Sequence, residues 1–290
     1  MVVYAGQGDA RRSMALLWRR GEPNGARPGP KPGLSVDAIV DAAIELADSE
    51  GMAALSMRRV GERLGRTGMA LYTYVPGKGE LIDLMYDRAL AELPAEYDLS
   101  AGWRPALTAW AEQTLAFYLR HPWTLQVSQA RPVLGPNEFA MLESLVAILR
   151  GTGLGPRRVR GMVALLFDFV RGAATTIAES RQAPSATGVS DEEWWQARAS
   201  LLDEIAPGFA DRFPLVRWVE SDDSEPGGDE PYLEHRVNET FSVGLAVLLD
   251  GIEATAARAA RNHDVRHGEA QKGRADRPRH GGGPEAAPSR

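Results

Sequence analysis

The stretch SMRRVGERLGRTGMALYTYVPGKGELIDLM, residues 56–85, decides the fold. It holds three helical patterns in thirty residues, separated by Gly65 and by Pro76-Gly77. Ser56 is a capping residue type, Val60 and Leu64 share one helical face, and Gly65 closes the first helix. A short helix then starts near Thr67 and runs to Tyr74 or Val75, where Pro76 stops it. A third, from about Gly79, carries Leu81, Ile82, Leu84, Met85 and Ala89 at helical spacing. With about 100° per residue and Leu71 turned inward, Met69 and Thr73 face outward, flanked by Ala70 and Tyr72. Such a helix buries little on its own. It makes sense as a surface that something else contacts.

A helix, a glycine turn and a short helix over residues 56–75 have the size of a helix-turn-helix. In that motif the second helix lies in the major groove, with its N-terminal residues nearest the base edges. Met and Ala can touch thymine methyls, Thr and Tyr can bond phosphates, and none carries a charge that DNA repels. A helical corner without any ligand has the same spacing, so the flanking residues have to separate the two readings.

Ahead of the motif, Ser35 reads as an N-cap with Asp37 in the first turn. Ile39, Val40, Ala43, Ile44 and Ala47 then form a helical stripe that ends at Gly51. Residues 1–33 end in GEPNGARPGPKPG, whose glycines and prolines oppose regular structure, and a flexible basic arm is expected there. Behind the motif every pattern is helical. Leu107, Trp110, Ala111, Thr114, Leu115 and Tyr118 make one face, stopped by His121-Pro122. Further helices are expected over 139–150, 159–179, from Asp191, and over 233–259. Residues 220–231 read as an acidic loop, and the Arg-, Gly- and Pro-rich residues 261–290 as a disordered tail. No segment alternates with period two. The expected fold class is all-α, with a helix-turn-helix DNA-binding domain over 34–92 and a larger helical regulatory and dimerisation domain over 100–260.

Composition narrows the function. The chain has no cysteine, which removes disulfides, thiolate metal sites and cysteine nucleophiles. No apolar run approaches the ~18 residues needed to span a membrane. The apolar Met14–Trp18 core between Arg11, Arg12, Arg19 and Arg20 is too short for a signal peptide, so a cytoplasmic location is expected. The net charge is −6, yet residues 1–78 hold 11 basic and 8 acidic side chains. A basic N-terminal end on an acidic body suits a DNA-binding protein, although a solvated basic tail has the same composition.

The segments AIELADSEG, LSMRRVGERLG, ALYTYV and GKGEL, spaced over residues 43–81, together resemble the DNA-binding domain of the tetracycline-repressor (TetR) family. RHPW, LGPNEF, EEWW and FSVGLAVLLDGIEA resemble the C-terminal domain of the tetracycline-repressor branch, so the resemblance covers residues 34–258. By position it implies that Arg58 reaches a base from the supporting helix. Thr67, Gly68, Met69, Ala70 and Thr73 fall in the recognition segment, with Met69 and Ala70 at base-contacting positions. Tyr72 and Tyr74 match phosphate or groove-edge contacts, and Lys78 a phosphate contact. Lys78 is one of only three lysines against thirty arginines, which makes its place in this turn notable. Gly68 and Arg66 depart from the family pattern, so the operator sequence does not carry over. The resemblance further implies a homodimer on a palindromic double-stranded operator, released by a small-molecule inducer. The dimer would form through helices 159–179 and 233–259, whose Gly161, Ala164, Gly172, Gly244 and Ala246 permit close approach, with Leu245 and Leu248 as candidate seam residues.

GTGLGP at 151–156 follows a helix rather than a strand and reads as a helix–helix turn, not a phosphate cradle. Trp110, Phe117, Trp123, Phe139 and Phe167 could line a ligand cavity, with Gln126 and Gln129 orienting its occupant. The resemblance places the family's metal-binding histidine near Ser128, a poor ligand for a divalent cation. An apolar, aromatic, metal-free inducer is therefore expected, and no cofactor. Two other classes remain open: an all-α enzyme using the aromatic cavity, which lacks an acid–base or metal constellation, and a helical adaptor that binds only protein.

Overall fold

A computed structural model describes residues 2–18, 34–221 and 232–275. Among these residues the structure is helical, apart from one isolated parallel β-bridge between Val3 and Val127. Helix α1 is Ala10–Trp18. A head follows, made of α2 (Val36–Glu50), α3 (Met57–Arg63), α4 (Gly68–Leu71) and α5 (Lys78–Leu90). The body comprises α6 (Trp103–Arg120), a 3-10 turn (Pro122–Gln126), α7 (Pro136–Arg150), α8 (Pro156–Thr187), α9 (Asp191–Ile205), α10 (Phe209–Arg212), α11 (Pro214–Val219) and α12 (Tyr232–Ala275).

The head is built by local signals. The Ser35 hydroxyl accepts from the Ala38 amide at 3.1 Å and Ser56 from Arg59 at 3.3 Å, which satisfies donors that a helix start leaves open. The turn after α3 is made at Gly65, whose φ of 65° suits a residue without Cβ. Ile39, Val40, Ala43, Val60, Leu71, Val75, Leu81 and Met85 close the core beneath these helices. Helix α4 is a single turn, shorter than the expected 67–75. The chain continues through turns in which Tyr74 and Val75 both donate to the Leu71 carbonyl. Pro76 disfavours helical geometry at Val75, and Val75 is anchored in the core, so the reading segment cannot lengthen.

In the body, α6 packs on α8 and α8 on α12. The α12 stripe Phe241, Leu245, Leu249 and Ile252 is buried, and Phe169 of α8 stacks on Phe241 at 5.2 Å between ring centroids. A Cβ on Gly244 would lie 2.8 Å from the Phe169 ring, so this glycine serves the contact within one chain. Leu245 is 4% exposed and faces α6, so it is a core residue rather than a seam candidate, and Leu248 is half-buried. The outward residues of α12 are Val243 and Val247, and that of α8 is Leu165.

Two helices, Pro156–Thr187 and Leu233–Asn262, are long and apolar enough to cross a membrane by length and composition. In α8, Arg171 donates to the carbonyls of Leu125 and Val127, the second at 3.0 Å, and Asp168 lies in the same stretch. Charged side chains at mid-helix, one of them engaged with another segment of the body, mark a bundle helix.

The flexible arm expected over residues 1–33 does not hold for residues 2–18, which are docked, and residues 19–33 lie outside the described residues. The disordered tail expected from 261 is corrected likewise: α12 runs to Ala275, and residues 276–290 lie outside the described residues. Of the acidic loop, 222–231 lie outside the described residues as well.

Candidate nucleic-acid interface and ligand cavity

Helices α3 and α4 meet almost backbone to backbone. A Cβ on Gly61 would stand 2.9 Å from the Arg66 carbonyl oxygen and the Gly68 nitrogen, and one on Gly68 would stand 3.1 Å from the Arg58 backbone. The absent side chain at Gly68 thus has a structural cause: it lets the reading segment sit on the supporting helix. Met69 is 76% exposed, and Thr67, Thr73, Tyr72, Tyr74 and Lys78 are exposed around it, with Ala70 half-buried and Leu71 sealed in the core. The expected outward face is therefore the one presented. Arg58 shares this surface and pairs with Glu62 one turn away; an exposed pair of this kind costs little to exchange for another partner.

Head and body are joined by a polar cluster. His121, at the end of α6, places Nδ1 2.9 Å from Asp48 of α2 and Nε2 3.2 Å from Glu92 just past α5. The Trp123 indole donates to the same Asp48 carboxylate at 2.8 Å. Burial works to lower the His121 pKa, but the hydrogen bonds and charges of Asp48 and Glu92 outweigh it and hold it above the ordinary 6.5. A raised histidine stabilises fully below its unfolded pKa, and the contribution is lost as pH rises through the folded one. Melting temperature is therefore expected to fall as pH rises past about 6.5. Asp48→Asn should flatten that slope and cost about 1 kcal/mol below it. An unchanged pH profile in Asp48→Asn would remove His121 from this role.

A cavity of about 300 Å³ opens between α5, α7, α8 and residues 127–134. Its wall is mostly apolar, including Met141, Leu142, Val163 and Phe167, with Ser128, Gln129, Arg131, Tyr86 and Glu138 as polar groups. Burial raises the Tyr86 phenol well above its usual range and also raises Glu138, against the Leu134 amide that donates to it at 2.6 Å. Of the side chains expected to line a cavity, Gln129, Phe139 and Phe167 do so. Trp110 stands behind Phe167, edge-on at 5.2 Å. Phe117 packs on Tyr118 and His121, Trp123 is held by Asp48, and the Gln126 carbonyl accepts from the Val3 amide. These four are absent from this cavity's wall because the head–body junction, the core and the N-terminal segment use them. Leu134, with a φ of 62° rare for a branched residue, was the signal that sequence could not supply.

A helix-turn-helix head whose last helix walls an apolar cavity in a helical body defines a DNA-binding regulator that responds to a ligand. Residues 39–85 match the family described as bacterial regulatory proteins, tetR family, and residues 96–256 the tetracyclin repressor-like C-terminal domain. The HTH-type transcriptional repressor DrrR1 of Streptomyces coeruleorubidus is 40% identical over 258 residues, 88% of this chain and 89% of that one. An HTH-type transcriptional regulator of Saccharopolyspora erythraea is 30% identical over 226 residues, 78% of this chain and 87% of that one. The crystal structure of apo ActR from Streptomyces coelicolor superposes with a TM-score of 0.62 at 25% identity, over 79% of this chain and all of that one. ActR has also been solved with actinorhodin bound, with a TM-score of 0.61 to this chain at 25% identity and the same coverage. The chain belongs to the TetR family of transcriptional regulators and is a ligand-responsive repressor.

Proposed function

We propose that the chain binds a palindromic operator as a homodimer in the cytoplasm and is released by an apolar, aromatic, metal-free small molecule held in the 300 Å³ cavity. The observation that carries the reading is α5. Lys78 opens it beside the reading segment, and Tyr86, about two turns on, lines the cavity. A ligand that shifts Tyr86 shifts a helix ending at the DNA surface, and it acts through its preference for one head spacing over the other. The actinorhodin complex of ActR supports an aromatic occupant. The apolar lining of Met141, Leu142, Val163 and Phe167 supports one without charge. No catalytic role is proposed for any residue.

The test is a mobility shift against the DNA upstream of its own gene, followed by binding isotherms at several salt concentrations. Arg58→Ala should lose discrimination at one base pair, worth roughly 1–3 kcal/mol. Lys78→Ala should weaken operator and scrambled DNA alike and reduce the salt slope by about 1. Equal loss of specificity in both variants would reject the two roles, and no retardation of any upstream fragment would favour a protein-binding adaptor.

A further inference from the structure

Residues 2–18 precede both segments that match the family, yet they are fastened to the cavity wall at two places and to the head between them. At the first, the Val3 amide donates to the Gln126 carbonyl and the Ser128 amide to the Val3 carbonyl, each at 2.8 Å. Val127 and Ser128, on the other side of that bridge, line the cavity. In the middle, the Gly6 amide donates to both oxygens of Asp83 on α5 at 3.1 Å, and Ala5 is buried. A Cβ on Gly8 would fall 1.6 Å from the Glu80 carboxylate, so the segment lies close against α5 there. At the far end Leu17 is buried, and the Trp18 indole donates to the Leu134 carbonyl at 3.0 Å with its ring 6.1 Å from Phe139. Leu134 and Phe139 are cavity wall, and Leu134 is the non-glycine residue of positive φ.

We infer that residues 2–18 are a strap that gates the ligand cavity, and that its release is the step through which a ligand reaches the cavity. The inference rests on the cavity being the ligand site. A simple terminal anchor would need one attachment. This segment instead bridges residues 126–128, α5 and Leu134, so the cavity mouth and the head helix are closed by the same chain. Its hold is a few hydrogen bonds and two or three small contacts, and it can open locally while the body stays folded. Opening it also frees the Asp83 side of α5, which couples ligand access to the helix that carries Lys78.

The absence of native cysteine makes a direct test possible. Bridged strands lie about 4.8 Å apart, within the span that a disulfide accepts, so Val3→Cys with Val127→Cys should cross-link the strap to the wall. The probe is 8-anilinonaphthalene-1-sulfonate, followed by stopped-flow fluorescence on the full chain. The oxidised double variant is expected to bind it at least ten-fold more slowly than the same protein after reduction, and Trp18→Ala several-fold faster than the unaltered chain. Equal rates before and after reduction would overturn the gate. Should the disulfide fail to form, an unchanged rate in Trp18→Ala would overturn it alone. Val163→Trp, which fills the cavity, separates the two readings. Loss of dye binding in that variant supports the cavity as the site. Retained binding would defeat the cavity reading, and the gate with it, whatever the cross-link does.

Discussion

Val247→Glu is expected to turn the protein into a monomer in sedimentation experiments at micromolar concentration and to abolish tight operator binding. Val243 is 61% and Val247 64% exposed on α12, and Leu165 is 49% exposed on the adjacent face of α8. The glycines beside them, Gly161 and Gly172 on α8 and Gly251 on α12, have open space where a Cβ would be. Two long helices thus show an apolar, small-residue face with no cover in one chain, which suits a four-helix seam with a second copy. Helices α10 and α11 bury none of their residues, and Leu215 and Trp218 stand largely exposed, a second surface for a partner protomer to cover. An unpaired carboxylate in such a seam costs about 3 kcal/mol, and two-fold symmetry applies it twice. The resulting ~6 kcal/mol raises the dimer dissociation constant by about four orders of magnitude. Each head alone then meets one half-site without the linkage that makes the second contact intramolecular. Dimers that persist in both Val247→Glu and Leu165→Glu would move the seam elsewhere.

What the sequence made legible was whatever its local chemistry controls. Ser35, Ser56, Gly65 and Pro76 each act within a few residues, and the head they punctuate has the helices expected of it, α4 being shortened. The inward placement of Leu71 and the outward face of Met69, Thr73 and Tyr72 follow from helical period alone. The strap was not legible, because nothing near Val3, Gly6 or Trp18 says that their partners are Gln126, Asp83 and Leu134, 77 to 123 positions away. A nine-residue helix such as α1 is too short to persist by propensity, so its order comes from docking. The cavity was half legible for a related reason. Aromatic side chains mark buried places without saying which place: Phe139 and Phe167 line the ligand wall, while Trp123 turns its N–H to Asp48 at the head–body junction. Arg171, which pins residues 125–127 from within α8, gives no sequence signal beyond one charge in an apolar run.

Gly61→Ala is expected to destabilise the head by about 3 kcal/mol, the upper end for overpacking. It should also cost more DNA affinity than loss of any single contacting side chain. The reason lies in what the new methyl would meet. Around the vacant Cβ position are the Arg66 carbonyl oxygen and the Gly68 nitrogen at 2.9 Å and the Thr67 carbonyl carbon at 3.0 Å. All three are backbone, so no rotamer change relieves the clash, and α4 has to move away from α3. That movement breaks the hydrogen bond from the Arg66 amide to the Gly61 carbonyl, 2.8 Å long, which fixes the turn. It also changes the spacing between Arg58 on one helix and Met69 on the other, so base contact from one would be lost when the other is seated. Substitution at Gly65 is the comparison: its Cβ position is open, and only the φ of 65° opposes it, at about 1 kcal/mol. Gly65→Ala should therefore keep operator specificity at a slightly lower melting temperature, whereas Gly61→Ala should lose specificity even at temperatures where circular dichroism shows it folded. Operator discrimination retained in folded Gly61→Ala would mean that the α3–α4 distance does not set how this protein reads DNA.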